Sequence, residues 1–514
     1  MASTVRFVAA CLASLATLSS ATSTPIPDQI DFGPSEAAAR QNAFDIFNAV
    51  HSAMRQWGSS LNHNGMSVFL VTIPAGVLLH HGTHTPHPPP GPEWLAFEIE
   101  HAELFAHPRR QGNTPPPSRP PPPPLPAAQN PMHDAVLVTG YQPPNDDTNH
   151  PHGGGYLHTY QTTHPLSLLY LDGSSAAKTT MGTLDTQDLL LRLNRSAGLM
   201  DERGRARDLC EMATSWGLHG VLRMEAGFEV IKCGGDFGEG MELLAANRRP
   251  DMVDGMVGEP GLGMFEVVRA VARRYGGIGG GRVVVDWGSM VSVLLYGVTL
   301  TNPDDAGGEL PRLVGVGDEE LRVIRGGVAE VVRERRGGGK RIVDWQGVVD
   351  LIVARYADRL RYMVERAESI EMMQGEIGGL LNTHIDFAAK DEGHVAAVGR
   401  CTRLYTLSSS PETVEDRLIL TAIETVTHNI CSALFEVRKM VMEDSDANVD
   451  SVGLAKQVLR RLMDRLRWTT WKECVACGFD EGNKKQRTGV DEQKQCVSRE
   501  SNAGPIDGND GFYH

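Results

Sequence analysis

The chain of 514 residues carries 49 Lys plus Arg against 64 Asp plus Glu, a formal charge of −15, and is 41% apolar and 22% charged. These proportions suit a globular protein of two or three domains at roughly 150 residues each, and they exclude both wholesale disorder and a membrane bundle. An acidic chain without a basic block offers no footprint for a phosphate backbone, so nucleic acid is not expected as a partner.

Residues 1–24 read as a secretory signal peptide. Arg6 supplies a short positive region, residues 7–18 are apolar, and Ser19-Ser20-Ala21 offers small residues for cleavage. The stretch is too short to span a bilayer, which takes ~20 residues. The mature chain is therefore expected to be secreted and extracellular, to begin near Thr22 and to carry no membrane segment. Removing Cys11 leaves Cys210, Cys233, Cys401, Cys431, Cys474, Cys477 and Cys496, which in an oxidising compartment default to disulfides with one left over. One close bridge is expected among Cys474, Cys477 and Cys496, whose Cys-x-x-Cys can also be read as half of a zinc knuckle. Asn194-Arg195-Ser196 is a glycosylation sequon.

Residues 35–57 show helical periodicity, with Ser35 as the N-cap. Residues 65–79 form short β-like runs broken by Pro74 and Gly76. Residues 91–106 return to a helical pattern, in which Glu98, Glu100 and Glu103 read as the solvated face and paired-acid glycoside chemistry as the alternative. Residues 112–131 are a Pro-rich insert with no packing capacity, read as a spacer. A strand is expected over 135–141, a longer strand or hairpin over 156–171, and a helix near 186–193. Residues 217–233 read as two strands around Glu225-Ala226-Gly227. Beyond about 260 the chain is mainly helical. There Val285-Asp286-Trp287 and Val343-Asp344-Trp345 echo one another as a duplicated loop–helix unit, each Asp a good N-cap. The longest helical patterns cover 345–370 and 412–442.

The expected fold class is therefore α+β. A mixed domain would cover 25–255, a mainly helical one 256–478, and a disordered tail 479–514. The Gly276–Gly281 run lies after a helical pattern (264–275) and before an apolar run. That is the reverse of a dinucleotide loop, so it reads as a helix end and connector. His80, His81, His84 and His87 are dense enough to bind zinc or copper, but neighbouring prolines hold that chain extended and no Cys or carboxylate stands beside them; no metal site is assigned.

Three segments together resemble the ADP-ribosyltransferase fold in its histidine–aromatic–glutamate branch. Residues 73–83, ending in His81-Gly82-Thr83, resemble the opening strand, and Trp94-Leu95-Ala96-Phe97 with Ala102 and Phe105 the aromatic strand-to-helix element. Residues 158–169 are similar to a middle strand. Residues 217–221 followed by Gly227-Phe228-Glu229-Val230-Ile231 look like the late strand that bears the catalytic glutamate. The resemblance covers about 65–235. The whole chain also resembles uncharacterised secreted proteins of filamentous fungi. What the first resemblance implies is NAD-dependent ADP-ribosyl transfer or NAD hydrolysis, with NAD the one cofactor expected. Glu229 and His81 would be catalytic; His81, Thr83 and an aromatic residue (Trp94, Phe97 or Tyr160) would bind the dinucleotide. Glu229 would stabilise the oxocarbenium-like state of nicotinamide–ribose cleavage. The competing class is a non-catalytic interaction or effector-like protein whose helical half binds an unidentified protein partner.

Overall fold

The computed structural model describes residues 32–106, 155–249 (apart from 226, 235 and 236), 274–275, 282–300, 310–336, 342–389, 394–442 and 450–472. The segment expected to be a signal peptide, the Pro-rich insert, the strand expected at 135–141, the Gly-rich connector, Cys474, Cys477, Cys496 and residues 479–514 lie outside these residues. From Gly33 onward the described residues belong to one unit.

Ser35 accepts a hydrogen bond from the Ala38 amide and starts α1, Glu36–Gln41. The expected single helix is broken into three, continuing as α2, Ala43–Ser52, and α3, Gln56–Leu61. Met54, in the left-handed region at φ 55°, makes the second break. The β-like text then becomes β1, Ser67–Ile73, and β2, Leu78–Thr83, with Gly76 at φ 88° in the turn between them.

Residues 91–106 are not one helix. Glu93–Ala96 is strand β3 and only Ile99–Glu103 is helical, as α4. The reason is pairing: β3 has β2 on one side and a later strand on the other, and backbone hydrogen bonds override a short apolar period. Residues 156–171 likewise form two strands, β4, Tyr156–Thr162, and β5, Leu166–Leu171, but not a hairpin. β4 pairs with β2, whereas β5 pairs with β1. A π-helical turn, Thr186–Leu191, precedes α5, Glu202–Ser215. The two strands expected around residue 226 are β6, Gly220–Met224, and β7, Phe228–Lys232, paired antiparallel. Strands β8, Met241–Arg248, and β9, Val284–Ser292, form the two edges of one sheet of order β8-β4-β2-β3-β7-β6-β5-β1-β9. Its one parallel pair is β5 with β6. The fold is α+β, as expected.

The remaining described chain is helical: α6, Asp318–Arg335; α7, Trp345–Glu365; α8, Ile370–Leu381; α9, His394–Arg403; α10, Val414–Met442; α11, Ser451–Leu466. Helix α10 is long and apolar enough to cross a membrane, yet it is the hub of this region, packed against α1, α2, α8, α9 and α11. The sequence echo does not mark a duplicated unit. Asp344 caps α7 by accepting from the Gly347 amide, whereas Val285-Asp286-Trp287 lies in β9 and Asp286 pairs with Arg335. Disulfides join Cys210 of α5 to Cys233 beside β7, and Cys401 of α9 to Cys431 of α10.

One close approach positions the site. A Cβ on Gly82 of β2 would stand 2.0 Å from the Ala102 carbonyl oxygen and 2.6 Å from the Ala106 amide nitrogen, so α4 rests directly on that glycine. Backbone cannot move aside cheaply. Gly82→Ala is expected to cost about 1–3 kcal/mol, as overpacking that displaces α4, and a urea titration showing an unchanged midpoint would refute the contact.

Candidate functional site

In a sheet, residues directly opposite one another point to the same face and neighbours along a strand to opposite faces. The register runs His80 opposite Ala96, Ala96 opposite Glu229, and Glu229 opposite Arg223, so these four share one face. Trp94, two residues before Ala96, joins them. His81 is opposite His158 on the other face, together with Thr83 and, two residues from His158, Tyr160. The sheet thus makes neighbours of the strands carrying the expected site residues, yet sends His81, Thr83 and Tyr160 to one side and Glu229 and Trp94 to the other. Phe97 lies just past β3, buried, its amide donating to the Phe228 carbonyl.

On its own face His81 is a packing residue. Its Nδ1–H donates to the Trp94 carbonyl over 2.7 Å, and its ring lies against His158 and Phe237. Burial drives its pKa down to about 4, so at neutral pH it is uncharged. His158 and Tyr160 bond one another through Nδ1 and the phenol oxygen at 3.1 Å.

The Glu229 face holds a buried ionic cluster. Arg223, fully buried, donates through Nε to Glu229 Oε1 at 2.8 Å, through Nη1 to Gln187 Oε1 at 2.8 Å, and also bonds Glu202. Arg205 bonds Asp188 at 2.8 and 2.9 Å and Glu202 at 3.0 Å. Lys178 Nζ donates to both oxygens of Glu225 at 3.0 Å. Burial alone would raise the Glu202 carboxyl, but Arg223, Lys178 and Arg205 hold it down at about 2. Gln187 and Asp188 come from the π-helical turn, a rare element that recurs at functional sites.

Glu98 corrects a sequence expectation. Read as part of a solvated face, it is fully buried, and Glu100 and Glu103 are only partly exposed. Neither Glu98 oxygen makes a well-formed hydrogen bond, and burial raises its pKa despite the nearby Phe228 amide and His101. His101, on α4, is 6% exposed; its Nε2 lies 3.7 Å from Glu229 Oε2 and its Nδ1 has no partner. His101, Glu225 and Glu229 each present one ligand-type atom, all within 4.8 Å of one another.

Arg223, Glu225 and His101 were missed by sequence reasoning, and Glu98 was weighed only as part of a solvated face or an acid pair. A signal for Arg223 existed: a hairpin centred on residue 226 pairs position 223 with 229, setting an arginine opposite a glutamate inside two apolar runs.

The whole cluster lies in the part of the chain that has known relatives. Residues 36–260 match the family model of the YPL277C N-terminal domain. Two uncharacterized proteins of Saccharomyces cerevisiae are similar to this chain. YPL277C is 32% identical over 216 residues, covering 40% of this chain and 42% of that protein. YOR389W is 32% identical over 227 residues, covering 40% of this chain and 33% of that protein. The matches thus span less than half the length of these relatives. No solved structure matches the chain. The YPL277C N-terminal domain match takes in β1 to β8, α4, α5 and the π-helical turn, and it stops before β9.

Proposed function

We propose that the chain cleaves the nicotinamide–ribose bond of NAD, by ADP-ribosyl transfer or hydrolysis, with Glu229 as the charge-stabilising carboxylate. The observation that carries this reading is the strand order β4-β2-β3-β7. It sets the Glu229 strand beside the Trp94 strand, more than a hundred residues away in sequence, with the His81-Gly82-Thr83 strand next in order. The resemblance calls for these strands around one site; because His81 faces the other side of the sheet, Glu229 and Trp94 carry the reading.

The roles change with the geometry. Glu229, fixed through Oε1 by Arg223, keeps Oε2 for a ribose hydroxyl and for the positive charge that develops as nicotinamide departs. Trp94, half-buried on the same face, is the aromatic candidate for nicotinamide, and Tyr160 is not. His81 acts as a positioning residue, holding the β3 backbone at Trp94. Because Glu229 is 4% exposed, substrate reaches it only when α4 moves aside. The chain is further proposed to be secreted, for which two disulfides within the described residues are compatible support.

The test is release of nicotinamide from NAD by the purified chain. Glu229→Gln is expected to lower the rate at least a hundredfold, the usual scale for losing one transition-state electrostatic partner. His81→Ala should act through geometry and raise KM more than it lowers kcat. Wild-type protein that releases no nicotinamide ends the enzyme reading. The second reading, a non-catalytic partner-binding protein, would then stand on the apolar side chains of Phe387, Val395 and Leu407, which are 72%, 82% and 74% exposed around α9.

A further inference from the structure

The ionic cluster under α4 is short of positive charge. Among the described residues, Glu98, Asp188, Glu202, Glu225 and Glu229 converge there, the cations bonded to them are Lys178, Arg205 and Arg223, and Arg282 acts on Glu98 without a hydrogen bond. Arg192 also touches Asp188, but it is shared with Asp201 and Asp208. Buried carboxylates are tolerated when paired or when they coordinate a metal ion.

The shortfall has a location. One ring nitrogen of His101 and one oxygen each of Glu225 and Glu229 lie within 4.8 Å of one another, with His101 Nε2 3.7 Å from Glu229 Oε2. Behind His101, its Nδ1 faces the same small space as Glu98: a Cβ on Gly227 would stand 2.7 Å from Glu98 Oε2 and 3.1 Å from His101 Nδ1. The two residues come from one turn, Glu98-Ile99-Glu100-His101, in which the His101 amide donates to the Glu98 carbonyl at 3.1 Å. A buried histidine with an unpartnered Nδ1 bordering the same space as an unpartnered buried carboxylate, and with acidic oxygens gathered at its other side, matches the arrangement in which a metal-binding imidazole is held by an outer carboxylate.

We infer that His101 Nε2, Glu225 and Glu229 form a binding site for one divalent transition-metal cation, with Glu98 accepting from His101 Nδ1–H as the outer partner. One imidazole and two carboxylates suit Mn2+ or Zn2+ better than a thiolate-seeking ion. Arg223 retains Glu229 Oε1, so Oε2 serves the ion. Lys178 Nζ, which spans both Glu225 oxygens, gives up one of them as the ion enters. Two positive charges then share Glu225, which sets a moderate affinity. Gly227 matters because any side chain there fills the space between Glu98 and His101.

The ion and a ribose hydroxyl would compete for Glu229 Oε2, so this is a different use of the same carboxylate; it is tested without NAD, and its failure leaves the NAD reading standing. The full chain, stripped with a chelator, is titrated with MnCl2 while the six-line EPR signal of free Mn2+ is followed, and with ZnCl2 by calorimetry. The expected result is one saturable site per chain, a raised Tm with bound ion, and 14N coupling from one imidazole in the pulsed EPR spectrum. Glu225→Gln and Glu98→Gln, both near-isosteric, should each weaken binding roughly ten- to a hundredfold, and His101→Ala should remove the 14N coupling. Near-UV circular dichroism of the metal-free variants identifies any that fail to fold, and the two glutamine variants decide the matter if His101→Ala does. Absence of saturable binding of either ion to the wild-type chain overturns the inference, leaving an ion-pair network alone. Binding unchanged in both glutamine variants overturns it equally.

Discussion

Arg223→Met is expected to destabilise the protein by about 3–5 kcal/mol, the range for breaking a buried ion pair from one side. The guanidinium is completely buried between Glu202, Glu229 and Gln187, and Glu202 and Glu229 together supply most of the attraction that offsets its desolvation. Methionine fills much of the volume but leaves Glu229 buried with its Oε1 bond gone and Glu202 deprived of its strongest partner. The discriminating measurement is a double-mutant cycle by urea unfolding. Adding Glu229→Gln removes one stranded charge, so the double variant should recover roughly 1–3 kcal/mol relative to Arg223→Met alone. If the two changes instead simply add, the charges are not coupled and the buried network is not what holds β6, β7 and α5 together.

A second large effect belongs to Asp172, just beyond β5 and far from the cluster in kind. It lines a cavity of about 40 Å3 with Asn48, Ser59, Asn62 and Asn64, and its Oδ1 accepts from the Ser67 amide at 2.9 Å. Burial raises its pKa to about 7, against an ordinary carboxyl near 3.8. Between those values the folded chain holds a proton that the unfolded chain releases. Stability from this group is therefore fully present below about pH 4 and is lost as pH rises toward 7. From pH 5 to pH 8 the loss is about 2–3 kcal/mol, obtained from the two pKa values at 1.36 kcal/mol per unit. Asp172→Asn keeps an acceptor for Ser67 and cannot ionise. Its stability relative to wild type should rise by that amount between pH 5 and pH 8, and a difference that stays constant with pH would show that Asp172 titrates normally.

Some of this protein was determined by local sequence. Apolar runs flanking a three-residue turn, Glu225 to Gly227, gave β6 and β7 with the right pairing, because a tight turn fixes register. Long 3.6-residue periodicity gave α7 and α10, and Ser35 and Asp344 capped the helices they precede, since a cap bond spans only three residues. Each of these needs nothing beyond its own segment.

What needed the tertiary structure was every property set by a distant partner. Val-Asp-Trp opens a helix at 344 because Asp344 meets its own Gly347 amide, and the same triplet is a strand at 285 because β1 lies alongside and Arg335 claims Asp286. Residues 93–96 are extended because β7, over a hundred residues later, supplies their hydrogen bonds. Glu98 is buried because Gly82 admits α4 to the sheet, which no pattern within residues 91–106 encodes. The face on which a strand residue emerges follows from register with its neighbours. The sequence could therefore assign His81 and Glu229 to one site in expectation, while only the assembled sheet, with β3 between their strands, put them on opposite sides and set Glu229 among Arg223, His101 and Glu225.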